Sequence, residues 1–251
     1  MSDRHAPLDE HLPVSSDGGE GGLPPAGGEG RGEGAPWAVV CDFDGTAVTE
    51  DIGDQVSIHF AGHDVWRAAE DRYRAGETTF GELLQAIFAP ITAGADEIAG
   101  WAKRRAVLRP GFVRFVSRCQ EEGIPFLLVS AGLDVYIHAV LERLPPELHA
   151  HVEVRSNRAR CSPRGLTVEF HGVGGGCGRC GFCKGTVVDE LRARGHRVAM
   201  CGDGTADRCA AEKADLVFAR GRLPHYCDEL GVPYTTFEDF DQILEQFPGG
   251  A

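Results

Sequence analysis

Two aspartates one residue apart follow a short apolar run in the first fifth of the chain. Asp42 lies near the end of the apolar run at residues 37–43, and Asp44 follows it. The next residue, Gly45, permits a tight turn that would let both carboxylates face one bound group, and Thr46 adds a hydroxyl. One carboxylate could attack an electrophilic centre such as phosphorus, and the other could transfer protons. The pair predicts covalent acid–base chemistry at the end of a strand.

Further polar side chains occur at corresponding places later in the chain. They are Ser130, Ala131 and Gly132 at the end of the run 124–130, Lys184 at a helix start, and Asp203 and Asp207 after the run 197–203. Carboxylate oxygens suit Mg²⁺, and a serine with a lysine can hold a phosphate group. Phosphoryl transfer requires mainly positioning and charge neutralisation. Together these residues predict a magnesium-dependent phosphate-ester hydrolase that forms an aspartyl-phosphate on Asp42.

The segments that carry these residues alternate between strand-like and helix-like patterns. Continuous apolar runs occur at residues 37–43, 124–130, 197–203, 216–219 and 232–235, and helical patterns occur at residues 112–122, 133–144, 185–194, 206–214 and 237–246. Buried strands that alternate with helices are typical of an α/β fold with a Rossmann-like parallel sheet and helices on both faces. The carboxyl ends of such strands share one edge, which is where ligands bind.

One segment interrupts this alternation directly after the first strand. Residues 53–108 contain four amphipathic helical patterns, at 54–60, 63–75, 79–88 and 95–106, with no strand among them. We expect residues 36–52 and 109–251 to form the catalytic core and residues 53–108 to form a helical cap over the site. Residues 152–170 alternate around a turn and predict a hairpin.

Composition narrows the class of protein. The 251-residue chain is 42% hydrophobic and carries a formal charge of −13, so it can bury a core but is a poor partner for nucleic acids or anionic membranes. Residues 1–35 are rich in glycine and acids and predict a disordered tail. There is no membrane-length apolar run and no apolar signal core, and the cysteine count is odd. We therefore expect a cytoplasmic protein with reduced cysteines.

Four motifs emerge from these residues: 42–46, 130–132, Lys184 and 203–207. With them, the chain from Trp37 to the C-terminus resembles the haloacid dehalogenase superfamily, in its phosphoserine-phosphatase-like branch. The resemblance implies that Asp42 is the nucleophile and Asp44 the general acid and base. It implies that Mg²⁺ is held by Asp42, Asp203 and the backbone carbonyl of Asp44, and that Ser130, Ala131 and Lys184 bind phosphate. Thr46, Gly132 and Asp207 would support the site, and Asp51 would read the substrate.

Four further segments bear on the substrate. Residues 177–184, the segments 109–112 and 217–220, and residues 234–237 are similar to the family of 2-hydroxy-3-keto-5-methylthiopentenyl-1-phosphate phosphatases, enzymes of methionine salvage. Ala131 stands where a glycine is common, and Ala206 stands where phosphoserine phosphatases usually carry asparagine. The resemblance implies a small phosphorylated metabolite as substrate, either this enol phosphate or, as the alternative, phosphoserine or another small phosphate, by hydrolysis or by transfer to another acceptor.

The cysteine run before Lys184 allows another kind of function. Cys177, Cys180 and Cys183 have metal-compatible spacing, with Cys161 or His171 available as a fourth zinc ligand. Reduced thiols in a glycine-rich turn are the simpler interpretation, and a redox switch beside Lys184 is a further one. A non-catalytic metal or redox module is the alternative to an enzyme. Residues 176–181 also match Gly-x-Gly-x-x-Gly, but no strand precedes them as dinucleotide binding requires.

Overall fold

A computed structural model of the protein describes residues 34–171 and 181–248, and most of the predicted tail lies outside these ranges. The seven strands are β1 (Trp37–Cys41), β2 (Phe126–Leu133), β3 (Val152–Ser162), β4 (Gly165–Glu169), β5 (Arg197–Gly202), β6 (Leu216–Ala219) and β7 (Thr235–Thr236). They form one sheet in the order β4-β3-β2-β1-β5-β6-β7. All neighbours pair in parallel except the antiparallel hairpin of β3 and β4. The predicted α/β class is confirmed.

The eleven α-helices of the described ranges fall into two groups. Four form a continuous series between β1 and α5: α1 (Ile52–Phe60), α2 (His63–Arg74), α3 (Phe80–Phe88) and α4 (Ala95–Arg105). The others are α5 (Phe112–Glu121), α6 (Asp134–Leu141), α7 (Pro146–His151), α8 (Lys184–Ala193), α9 (Arg208–Ala211), α10 (Leu223–Leu230) and α11 (Phe240–Gln246). No helix in the described residues has both the length and the apolar character needed to cross a bilayer.

The strand order explains why a site forms at the end of β1. From β1 the chain first adds β2 and β3 on one side and later adds β5 and β6 on the other. Because crossovers between parallel strands are right-handed, this reversal sends α5 and α8 to opposite faces and opens a crevice at the carboxyl end of β1. Phe126 packs against Phe112 and Phe115 of α5, and Trp37 packs against Phe247, which directly follows α11. The helix α8 contacts β1 and β5.

The four-helix series leaves and rejoins the core through a short backbone bridge. Val48 pairs with Leu108 in an antiparallel bridge, and the amide of Thr49 donates to the carbonyl of Val107 at 2.9 Å. The sequence predictions for α1 to α4 agree with the observed bounds to within two residues. That this series is a separate cap domain remains a prediction.

Several elements differ from the sequence predictions. The helix predicted at residues 206–214 is a 3₁₀ turn, Thr205–Asp207, followed by the four-residue α9, and the last strand is only two residues long. The helices α7 and α10 were not predicted. α10 had a usable signal, because Pro224 lies in its first turn and Gly231 caps its end in the left-handed conformation.

Candidate active site

A cavity of about 420 Å³ opens at the carboxyl ends of β1, β2 and β5. Its lining includes every residue predicted from the sequence for catalysis, phosphate binding and Mg²⁺ binding: Asp42, Asp44, Ser130, Ala131, Lys184 and Asp203. The supporting residues Asp207 and Gly132 and the predicted substrate-reading residue Asp51 also line it. Side chains from positions up to 165 residues apart in the chain therefore meet in one place.

Asp42 lies directly after β1, where the backbone stops being a strand. Residues 43–47 form a tight π-type turn in which Gly45 adopts a positive φ of 71°. Thr46 donates its hydroxyl to Oδ2 of Asp42 at 3.4 Å, and Lys184 donates to Oδ1 at 2.5 Å. Both contacts orient a buried carboxylate toward the cavity.

Lys184 is a fully buried cation between two carboxylates. Its Nζ donates to Asp42 and to Oδ1 of Asp207, each at 2.5 Å. Burial alone would lower the pKa of Lys184, but the two carboxylates outweigh it and hold the pKa above the usual lysine value. Asp207 also accepts the backbone amides of Asp203 and Gly204 through Oδ2, at 2.9 and 3.0 Å. Lys184 is therefore charged at neutral pH, and Asp207 fixes both it and the loop that follows β5.

The combined negative charge of the carboxylates in the site exceeds the positive charge that faces them. One oxygen each of Asp42, Asp203 and Asp207 lie within 4.8 Å of one another, beside the single charge of Lys184. Burial and the neighbouring Asp207 raise the pKa of both Asp42 and Asp203, although Lys184 opposes both shifts. Asp207 is the most buried of the three, at 1% exposed, and its carboxylate already binds Lys184 and two backbone amides, so Asp42 and Asp203 are the candidate metal ligands. This all-oxygen, electron-rich set fits a hard divalent cation such as Mg²⁺.

Asp44 occupies a different environment from Asp42. Its Oδ1 accepts the amides of Ile52 and Gly53 at the start of α1, at 2.7 and 3.4 Å. The hydroxyl of Tyr136 donates to Oδ2 at 3.5 Å. Enclosure raises the pKa of Asp44 to about 7, although the two amides act in the opposite direction. A carboxyl group with this pKa can both donate and accept a proton near neutrality.

The segment Ser130–Gly132 leaves the regular strand ladder at the cavity. β2 and β3 pair up to Val129 and again at Leu133, with a register shift between them. The amide of Gly132 donates to Oγ of buried Ser130 at 2.9 Å. Any side chain at Gly132 would meet the hydroxyl of Tyr136, since a Cβ there would lie 2.0 Å from it. A glycine is therefore required where the loop passes Tyr136.

Two arginines that the sequence reasoning did not assign to the site hold the turn after β1. Arg109 is buried and donates to the carbonyls of Gly45 and Thr46, both at 2.7 Å, and of Val48 at 3.3 Å. Arg220 donates to the carbonyl of Gly45 at 2.5 Å. These bonds satisfy carbonyls that the tight turn leaves without strand partners. Arg109 was noted only for a resemblance, since spacing carries no signal for a contact 63 residues away.

Asp51 lies in the cavity wall but already has a structural contact. Its Oδ1 caps α1 by accepting the amide of Asp54 at 2.7 Å. Enclosure and the carboxylates of Asp44 and Asp54 raise its pKa. Its predicted role in reading the substrate remains a prediction.

The wall opposite the catalytic residues comes from the four-helix series and is mostly apolar. Its members are Tyr73, Phe80, Leu83, Leu84, Ile87 and Phe88, with Asp54 and Glu70 as the charged residues. No lysine or arginine of residues 52–105, all of which the structure describes, lines the cavity. This wall suits an apolar group that carries no negative charge.

The cysteine prediction lies mainly outside the described residues. Cys177 and Cys180 lie outside the described residues, and Cys183 is buried immediately before α8. Of the two suggested fourth ligands, Cys161 lies on β3 and His171 follows β4. In the described ranges the three aspartates are the one group of three with metal-binding geometry. A zinc site at the cysteines therefore remains a prediction.

Comparisons with known proteins agree with this geometry. The family described as haloacid dehalogenase-like hydrolase matches residues 39–212. The chain is 32% identical over 208 residues to the bifunctional enzyme MtnB/MtnX of Bacillus licheniformis. The aligned region covers 82% of this chain and 48% of that protein. The chain thus spans about half the length of that relative. It is 29% identical over 208 residues to a 2-hydroxy-3-keto-5-methylthiopentenyl-1-phosphate phosphatase of Bacillus velezensis, covering 82% of this chain and 87% of the relative.

A solved structure shares the fold. The phospho-aspartyl intermediate analogue of phosphoserine phosphatase matches with a TM-score of 0.64 at 18% identity, covering 85% of this chain and 99% of the other. At that identity the likeness concerns the arrangement of strands and helices.

Proposed function

This chain belongs to the haloacid dehalogenase-like hydrolase family as a phosphatase, and we propose that it hydrolyses a small phosphate monoester through an aspartyl-phosphate on Asp42. The observation that carries the proposal is the pairing of a buried carboxylate, held by Lys184 and Thr46, with a second carboxyl group whose pKa is about 7. The two groups lie in one cavity and in environments that suit different tasks. The family and its phosphatase relatives do not favour the alternative of a non-catalytic metal or redox module.

The first half-reaction transfers the phosphoryl group to the protein. An oxygen of Asp42 attacks phosphorus while the bond to the ester oxygen breaks, and Asp44 donates its proton to the departing alcohol or enol. Lys184 and the hydroxyl of Ser130 hold the phosphoryl oxygens, which neutralises part of their charge. Mg²⁺ held by Asp42, Asp203 and the Asp44 carbonyl would supply further charge neutralisation.

The second half-reaction returns the protein to its starting state. The ionised Asp44 accepts a proton from water, and the water oxygen attacks phosphorus so that the acyl-phosphate bond to Asp42 breaks. Inorganic phosphate leaves, Asp42 is a carboxylate again and Asp44 is again protonated. The apolar wall would limit access of other water molecules while this occurs.

For the substrate we propose 2-hydroxy-3-keto-5-methylthiopentenyl-1-phosphate or a close analogue. Relatives named for that phosphatase support it, as does the wall formed by Tyr73, Phe80, Leu84 and their neighbours. Phosphoserine is the second candidate because Asp51 and Asp54 could pair with an ammonium group. A substrate carboxylate, however, would find no cation on the wall formed by residues 52–105.

Initial rates over a panel of phosphate esters test both parts of the proposal. The panel contains the enol phosphate, phosphoserine and nucleotide monophosphates, each with Mg²⁺ and with EDTA, and Asp42→Asn is the control for contaminating phosphatases. We expect the highest kcat/KM for the enol phosphate. Higher kcat/KM for phosphoserine would overturn the substrate assignment alone, and equal rates for wild type and Asp42→Asn would overturn the mechanism.

A further inference from the structure

A fully buried asparagine on β3 uses both the nitrogen and the oxygen of its side-chain amide to contact three separate segments. Asn157 donates from Nδ2 to the carbonyl of Ala131 at 2.8 Å and to the carbonyl of Gly181 at 3.1 Å. Its Oδ1 accepts the amide of His171 at 3.0 Å. Both donor hydrogens and one acceptor lone pair are therefore used.

The bond to Ala131 replaces a missing rung of the sheet. Between the pairs Val129–Arg155 and Leu133–Asn157, three residues of β2 face one residue of β3. The extra length lets the Ser130–Gly132 segment bulge into the cavity, and it takes the carbonyl of Ala131 out of the regular ladder. The side chain of Asn157 donates a hydrogen bond to that carbonyl instead. This hydrogen bond therefore fixes the position of the bulge relative to β3.

The bond to Gly181 holds the segment that leads into Lys184, which is the second predicted phosphate-binding element. Gly181 lies three residues before Lys184, and Phe182 and Cys183 between them are buried. The carbonyl of Cys183 accepts the amide and the hydroxyl of Thr186, at 3.2 and 2.7 Å, so the segment runs directly into the first turn of α8. A shift of Gly181 would therefore be passed to Lys184.

We propose that Asn157 is a positioning residue that sets the distance between the two phosphate-holding elements, the Ser130 loop and the start of α8. The inference rests on the proposed function, since it concerns the same phosphate site. Asn157 does not contact the cavity and acts only through Ala131 and Gly181. A displacement of about 1 Å in such elements can lower a rate by about 100-fold.

Two replacements separate the acceptor bond to His171 from the two donor bonds. Asn157→Leu removes all of them and keeps the same number and branching of side-chain heavy atoms. Asn157→Asp keeps the acceptor for His171 but loses both donors, and it directs a carboxylate oxygen at two carbonyls. His151→Leu is the matched control, because it replaces a side-chain bond to the carbonyl of Ile124, at 3.0 Å, at the opposite end of β2.

The measurements are kcat/KM, the Kd of inorganic phosphate by calorimetry in the presence of Mg²⁺, and the melting temperature. We expect both Asn157 variants to bind phosphate at least tenfold more weakly and to lose about 100-fold in kcat/KM. His151→Leu should melt at a lower temperature but stay within about twofold of wild type in both other measurements.

The outcomes distinguish this inference from the proposed function. Wild-type phosphate affinity in a folded Asn157→Asp protein would overturn the positioning role. So would losses in His151→Leu as large as those in the Asn157 variants, since the effect would then follow general destabilisation. If Asn157→Leu does not fold, Asn157→Asp alone decides. A wild-type protein without phosphatase activity would instead refute the proposed function, and the phosphate Kd would still test the role of Asn157.

Discussion

Replacing Gly45 with alanine tests whether the turn after β1 must pass this close to Asp203. A Cβ at Gly45 would lie 2.4 Å from Oδ2 and 2.9 Å from Cγ of Asp203, whereas ordinary contacts begin at 3.4 Å. The Asp203 carboxylate would have to move by about 1 Å to restore an ordinary contact. Since it is the end of a side chain, it can move without unfolding the protein, and the damage should appear in activity rather than in stability.

The chain contains a matched control for the backbone part of this change. Gly45 has a φ of 71° and Gly231 a φ of 66°, and a Cβ at Gly231 would meet nothing within 4 Å. A left-handed conformation costs alanine about 1–2 kcal/mol, which a less flexible unfolded chain offsets by about 0.4–1 kcal/mol. Both variants should therefore lose about 1 kcal/mol of unfolding free energy, or about 2–4 °C in Tm.

Activity should separate the two variants. Gly45→Ala should lower kcat/KM by about 100-fold, as expected for a ligand displaced by about 1 Å, and raise the Mg²⁺ concentration for half-maximal activity. Gly231→Ala should retain kcat/KM to within about twofold. Steady-state rates over a Mg²⁺ titration, with thermal melts of the same samples, make the comparison. Equal kcat/KM for the two variants would show that the turn and Asp203 are not coupled as described.

Four further predictions concern the reaction and its control. Asp42→Asn should fold as wild type but lose turnover, because an amide cannot attack phosphorus; rates above a few per cent of wild type would refute covalent catalysis. EDTA should abolish activity, Mg²⁺ should restore it and excess Ca²⁺ should inhibit; full activity of metal-free protein would contradict this. Because the pKa of Asp44 is raised to about 7, kcat/KM should fall as pH rises through about 7 and this acid ionises. The metal-free protein should lose stability as pH rises from about 4 to 7, because in that range the folded state holds a proton on Asp44 that the unfolded state has released. A flat rate profile would argue against the first expectation, and a flat melting profile would argue against the second. Exchange of residues 53–108 for the insert of a phosphoserine phosphatase should change the substrate ranking while Asp42 and Mg²⁺ stay essential, and an unchanged ranking in a folded chimera would place specificity in the core.

The strands and helices were predictable where their patterns are local. The apolar runs before Asp42, Ser130 and Asp203 predict buried parallel strands, and the structure contains β1, β2 and β5 there. Amphipathic periodicity predicts α1 to α4, since a helix shows its buried face every three or four residues. The 3₁₀ turn at Thr205–Asp207, which replaces the start of the predicted helix, could not be predicted in this way. It forms where the carboxylate of Asp207 accepts the amides of Asp203 and Gly204.

The chemistry of the site follows from the residues, but its arrangement depends on the fold. The sequence determines that carboxylates, a hydroxyl and a lysine follow strand ends, since these are properties of neighbouring positions. Only the tertiary structure decides that Tyr136 and the start of α1 enclose Asp44, and that Arg109 holds the turn after β1. It also decides that Asn157 joins the loop at Ala131 to the segment at Gly181. These contacts span up to 92 residues, and the order of strands in the sheet brings them together. The physical reason is that burial and charge proximity, which raise the pKa of Asp44 to about 7, depend on distances in space and not on spacing along the chain.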